Sequence, residues 1–134
     1  MKLDAHVAQG ILRIVTGLMF WQHGARKLFG WLGGTAVDSW LSWPVGVAGM
    51  LEFFGGILIL LGVKTRWVAF LLCGQMAVTY WWRHFFEQGT FWPIENGGER
   101  AVLFCFIFLF LFAAGPGAFS VDGRLEAGRA DTPD

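Results

Sequence analysis

Charge is scarce in this sequence. Of 134 residues, ten are Lys or Arg and ten are Asp or Glu, so charged side chains make up 15% and the formal net charge is zero. That balance supplies no broad basic or acidic face and points to neither nucleic acid nor a polyanionic partner. Cysteine is nearly missing as well. Cys73 and Cys105 stand apart with no CxxC pair, which disfavours a cysteine redox relay or a zinc site. Both lie inside apolar runs, where an inert thiol is the expected role. No small-residue cleavage site precedes His23, so the first apolar run reads as a retained segment and not as a signal peptide.

What fills the chain instead is apolar and aromatic. Hydrophobic residues make up 55%, with 14 Phe and 8 Trp, and the mean hydropathy is +0.53. This is too apolar for an ordinary soluble domain. A membrane-spanning helix needs about 20 mostly apolar residues. Four segments meet or approach that length: 8–29, 45–62, 66–84 and 98–114. The expected fold is therefore all-α, a four-helix transmembrane bundle over residues 1–125, with a polar and disordered tail over 126–134. The second and fourth segments are short, which a thinner bundle accommodates. Lys2, Lys64, Arg66, Arg124 and Arg129 would share one side, against Arg26, Lys27, Arg83 and Arg100 on the other. That slight excess favours cytoplasmic termini.

Glycine marks the helix contacts. Gly10, Gly17 and Gly24 recur every seven residues on one face of the first helix, and Gly46, Gly49, Gly55 and Gly56 surround Glu52 in the second. Small residues in such stripes let helix backbones approach closely. The 30–44 segment, rich in Gly and carrying Trp31, Trp40 and Trp43, suits the headgroup region.

The polar residues gather at one depth. Counting 1.5 Å per residue places His23 about 9 Å and Glu52 about 10 Å inside the same end of their helices. Thr79 falls at a similar level. Arg83, His84, Glu99 and Arg100 lie nearer that end, and Arg13 is left in the opposite half. A charge at the centre of a lipid-embedded helix costs about 2.5–3.5 kcal/mol, so these groups should face inward and pair. Glu52 with Lys27 or Arg83, and His23 with Glu99, are the expected pairs. The ligand-binding or proton-handling candidates are thus His23, Lys27, Glu52, Thr79, Arg83, His84, Glu99 and Arg100, with no catalytic residue assigned. Beside this reading stands a plainer one, in which the charges only fix helix order. A bis-histidine haem is disfavoured because His84 ends its helix, and no spacing motif supports a metal site.

HGARKLFG at 23–30, GMLEFFGG at 49–56, GVKTR at 62–66, His84 ahead of FFEQGTFWPIENGGE, and GPGAFSVDGRL at 115–125 together resemble the DoxX family of four-helix membrane proteins. The resemblance implies a multi-pass protein of the bacterial inner membrane. It also implies an association with thiosulfate:quinone oxidoreductase or with thiol and superoxide stress, alongside redox protein partners and the lipid bilayer. Its pattern falls on His23, Gly24, Lys27, Gly49, Glu52, Gly55, Thr65, Arg66, His84, Gly98 and Glu99. Arg100 departs from it, since that position is often apolar or aromatic in the family. A quinone or small sulfur species in an outer-half pocket is the functional expectation, with any electron-transfer cofactor coming from a partner. A non-enzymatic anchor or assembly partner, and a small-solute carrier, remain as alternatives.

Overall fold

The computed structural model describes residues 2–132, and among these every regular element is helical. Four long helices dominate: α1 (Ala5–Phe29), α2 (Val45–Leu61), α3 (Thr65–Thr79) and, after the one-turn α4 (Pro93–Asn96), α5 (Glu99–Ala114). A short α6 (Val121–Ala130) closes the chain. The all-α expectation holds, and the long helices fall on the four apolar segments. Among the described residues, no helix is long and apolar enough to cross a membrane. The reasons are local. α1 has Gln9, Arg13, Gln22 and His23 within its apolar run, α2 and α5 have 17 and 16 residues, and α3 gives way at Tyr80 to a π-helical segment, Tyr80–Phe86.

α1 and α2 pack along their lengths, as do α3 and α5. α2 against α3 joins the two pairs, while α1 and α5 touch only sparsely. Glycine permits the first pairing. A methyl group added at Gly17 would lie 2.5 Å from the backbone nitrogen of Leu60, and one at Gly56 would lie 2.5 Å from that of Trp21. Both distances are well inside van der Waals contact, so the backbones meet directly. The core between the pairs is aromatic and aliphatic, with Phe20, Ile59, Leu72, Phe104, Phe108 and Leu111 buried. Phe20 meets Phe108 edge-on with ring centroids 4.9 Å apart.

Residues 30–44 form turns that fold back over the end of α1, where Val37 donates its N–H to the Lys27 carbonyl at 2.8 Å. Phe29 stacks on Trp31 and meets Trp40 edge-on. At the opposite end, the 115–120 segment is held by Arg13. This guanidinium is fully buried (0% exposed). It donates to the carbonyls of Pro116, Ala118 and Phe119 at 2.7, 3.1 and 2.9 Å. Asp122 then accepts the backbone N–H groups of Lys64 and Thr65, each at 2.8 Å, and so caps α3 from 57 residues away. The tail expected to be disordered from Glu126 is helical as far as Ala130. Ser120 accepts the Gly123 N–H, Asp122 lies in the first turn and Arg129 in the last, all favourable for a short helix. Residues 133–134 of that tail lie outside the described residues.

Candidate functional site

Glu52 is the buried carboxylate of the bundle, 3% exposed. It sits on the buried face of α2 together with Gly49, Gly55 and Gly56. Lys27, in the last turn of α1, reaches across so that its Nζ lies 2.6 Å from Oε1 and 2.7 Å from Oε2. From α3, Gln75 donates Nε2–H to Glu52 Oε1 at 3.2 Å and, at the longer distance of 3.5 Å, to the Ala48 carbonyl. Three helices therefore meet at one carboxylate. Gln75 Oε1 is buried and has no hydrogen-bond partner among the described residues. Gln75 stands outside the sequence-based candidates, although an amide at mid-depth in an apolar helix was a readable signal.

A groove of about 910 Å³ runs beside this centre, between α2 and α3. Its walls are mostly apolar, with Val47, Ala48, Leu51 and Val78 among them. Its polar lining includes Lys27, Gln75, Thr79, Arg83 and His84, with Glu87, Gln88 and Asn96 toward one end, and the Trp43 and Trp82 rings stand 6.1 Å apart. The π-helical segment shapes that end. Thr79 Oγ1 donates to the Gln75 carbonyl at 2.9 Å immediately before it. Within it, Arg83 pairs with Glu87 at 3.4 Å, and His84 donates Nδ1–H to the Asn96 carbonyl at 3.0 Å. Asn96 is buried and orders the 90–98 loop. Its amide donates to the Thr90 carbonyl at 2.9 Å, and its Oδ1 accepts the Gly98 N–H at 2.8 Å. The Tyr80 hydroxyl donates to the Phe91 carbonyl in the same loop.

The eight sequence-based candidates divide. Lys27, Thr79, Arg83 and His84 line the α2/α3 groove, with Glu52 bonded to Lys27 behind it. His23 and Arg100 line a separate groove between α1 and α5, where His23 sits against the edge of Phe104. Glu99 is exposed and borders neither groove. Of the expected pairs, Glu52–Lys27 forms. Among the described residues His23 and Glu99 make no ion pair, and Arg83 takes Glu87 as its partner. His23 and Lys27 are one turn apart on α1, but one turns toward α5 and the other toward α2, so depth alone did not place them together.

The two cysteines, widely separated in sequence, are neighbours in space. Cys73 Sγ on α3 and Cys105 Sγ on α5 lie 3.7 Å apart. No group of three His, Cys, Asp or Glu side chains able to hold a metal forms among the described residues.

The model of the DoxX family matches residues 8–85, which contain both partners of the Lys27–Glu52 pair and most of the α2/α3 groove. An uncharacterized protein of Haemophilus influenzae is 39% identical over 116 residues, covering 84% of this chain and 87% of the relative. No solved structure matches the chain significantly.

Proposed function

The chain belongs to the DoxX family, and from that premise we propose that it is a membrane-embedded, redox-associated subunit whose α2/α3 groove takes a quinone. The outward faces support the embedding. Ile11, Leu18 and Met19 on α1, Phe54 on α2, Trp67, Phe70 and Leu71 on α3, and Leu103, Phe106 and Phe110 on α5 are all exposed. Apolar surface on every side of a bundle calls for lipid around it. Helices of 16 and 17 residues, about 25 Å long at 1.5 Å per residue, suit a bilayer that thins locally around them.

The observation that carries the ligand assignment is the composition of the groove. A long apolar trough suits a prenyl tail, and a few convergent polar groups at one side suit a ring with two oxygens. Lys27 keeps an N–H beyond its two bonds to Glu52. The second ring nitrogen of His84, whose Nδ1–H is taken by the Asn96 carbonyl, can accept from a quinol hydroxyl or, as imidazolium, donate to a quinone oxygen. A small sulfur anion would leave most of the trough empty, so the quinone is the better fit. No electron carrier is assigned to the chain itself. A redox partner protein supplies or removes the electrons.

Trp43 and Trp82 make the proposal measurable. In lipid nanodiscs a short-chain ubiquinone analogue should quench tryptophan emission saturably. The saturable part should vanish in Trp43→Phe/Trp82→Phe and weaken in His84→Leu. Quenching that is linear in quinone, or unchanged in the double variant, rejects the assignment.

One observation favours a second reading. The Lys27–Glu52 bond ties α1 to α2 whether or not the groove is filled, as a polar pair that sets helix register would. In that reading the chain anchors or assembles a complex, and quinone leaves its emission and stability unchanged.

A further inference from the structure

The groove between α1 and α5 belongs to no part of the quinone assignment. It has a volume of about 520 Å³ and lies where the two helices touch only sparsely. On α1 it follows Leu12, Val15, Met19, Gln22 and Arg26, a stripe stepping by three and four residues. On α5 it runs from Arg100 past Leu103 to Ile107. Because α1 enters this end with its C-terminus and α5 with its N-terminus, Arg26 and Arg100 lie at the same end of the trough. Its other end, at Leu12, Val15, Met19, Leu103 and Ile107, is mainly apolar with Thr16 among these. His23 is beside the arginines. Among the described residues neither arginine pairs with a carboxylate. Arg26 makes only a 3.5 Å contact to the Gly33 carbonyl.

We infer that this groove seats one membrane phospholipid with an anionic headgroup, its phosphate held by Arg26 and Arg100 and an acyl chain lying along Leu12, Val15, Met19 and Leu103. Guanidinium groups match phosphate oxygens with paired N–H donors. Two of them without carboxylate partners among the described residues, at the level where headgroups lie, form a site for a doubly coordinated phosphate. A free anion would satisfy the arginines but leave the trough bare, which is why the occupant is a lipid. The inference rests on the membrane embedding proposed above and is independent of the quinone groove.

The test compares phosphatidylglycerol with phosphatidylcholine of identical acyl chains. The readouts are lipid adducts surviving in native mass spectrometry and the melting midpoint in detergent. Both lipids carry the phosphate, but the quaternary ammonium of phosphatidylcholine would be brought against the cations of this end. Phosphatidylglycerol should therefore be retained roughly tenfold more tightly, about 1.4 kcal/mol, and should raise the midpoint. Arg26→Gln/Arg100→Gln should abolish that preference, whereas Arg124→Gln/Arg129→Gln, which removes the same charge elsewhere, should keep it. Leu103→Trp, which fills the trough without touching the charges, should lose the adduct and covers the case of a double variant that misfolds. Equal retention of the two lipids, a preference that survives Arg26→Gln/Arg100→Gln, or an equal midpoint shift from inorganic phosphate overturns the inference. A protein that enters nanodiscs and binds quinone but shows no lipid preference refutes this inference alone. One that never enters a bilayer refutes both readings.

Discussion

Replacing Lys27 and Glu52 singly and together should give strongly unequal results. Glu52 is 3% exposed, and the Lys27 side chain is 34% exposed. Lys27→Met keeps the aliphatic stem but removes the cation. The carboxylate is left buried with only the 3.2 Å contact from Gln75. Stranding a buried charge in this way costs about 3–5 kcal/mol. Glu52→Gln removes the other partner, yet the lysine is partly exposed and can turn its ammonium outward. The new amide can still meet Gln75, so the cost is about 1 kcal/mol. The double variant Lys27→Met/Glu52→Gln has no stranded charge and should unfold close to Glu52→Gln alone, giving a coupling as large as the Lys27→Met cost, about 3–5 kcal/mol. Reversible unfolding in mixed micelles of rising SDS content, followed by tryptophan emission, measures all three. Equal costs for the two single variants, with additivity within about 0.5 kcal/mol, would show that the pair is not the buried centre described here.

Three further outcomes follow from the packing. Gly17→Leu and Gly56→Leu each drive a side chain into backbone at 2.5 Å and should cost more than the usual 1–3 kcal/mol or so of overpacking; the same unfolding assay reads this, and a neutral result at both would deny the α1/α2 contact. Arg13→Met removes three carbonyl partners and should release the 115–130 segment to limited proteolysis, with cuts there appearing well before any in α2; an unchanged digestion pattern would count against the clamp. Diamide should join Cys73 to Cys105, whose sulfurs are 3.7 Å apart, within the same molecule. Mass spectrometry should then find the two peptides linked and lighter by two hydrogens, and two thiols still open to alkylation after diamide would contradict the placement.

Much of the bundle could be read from one dimension of the chain. Hydrophobic run lengths located α1, α2, α3 and α5, and the glycine spacing marked a face of α1 open to close backbone contact, which Gly17 and Gly24 present to α2 and Gly10 to Ala118. Depth arithmetic was enough for Lys27 and Glu52, because both lie at the α1/α2 contact that the glycines mark. It was not enough for His23 and Arg100. Equal depth says nothing of azimuth, and the sparse α1/α5 contact splits one expected pocket into two. The cysteine pair was hidden for a related reason. Its members sit on helices that become neighbours only through the α3/α5 packing, and no local spacing marks that. Asp122 was invisible as the cap of α3 because a cap is normally sought within a few residues of the helix it serves. The π-helical segment left no compositional trace beyond a run of large aromatic residues.

The clamp at the end of the chain has a consequence for how the molecule is made. Arg13 is synthesised 103, 105 and 106 residues before its three acceptors. The start of α3 likewise waits for Asp122. Until the ribosome has released that closing segment, a nascent polypeptide holds an unquenched guanidinium in its first helix and bare amides at its third. Truncation just short of Pro116 would therefore leave Arg13 of α1 without its acceptors, so the finishing of α1 is timed by the arrival of residues 116–122.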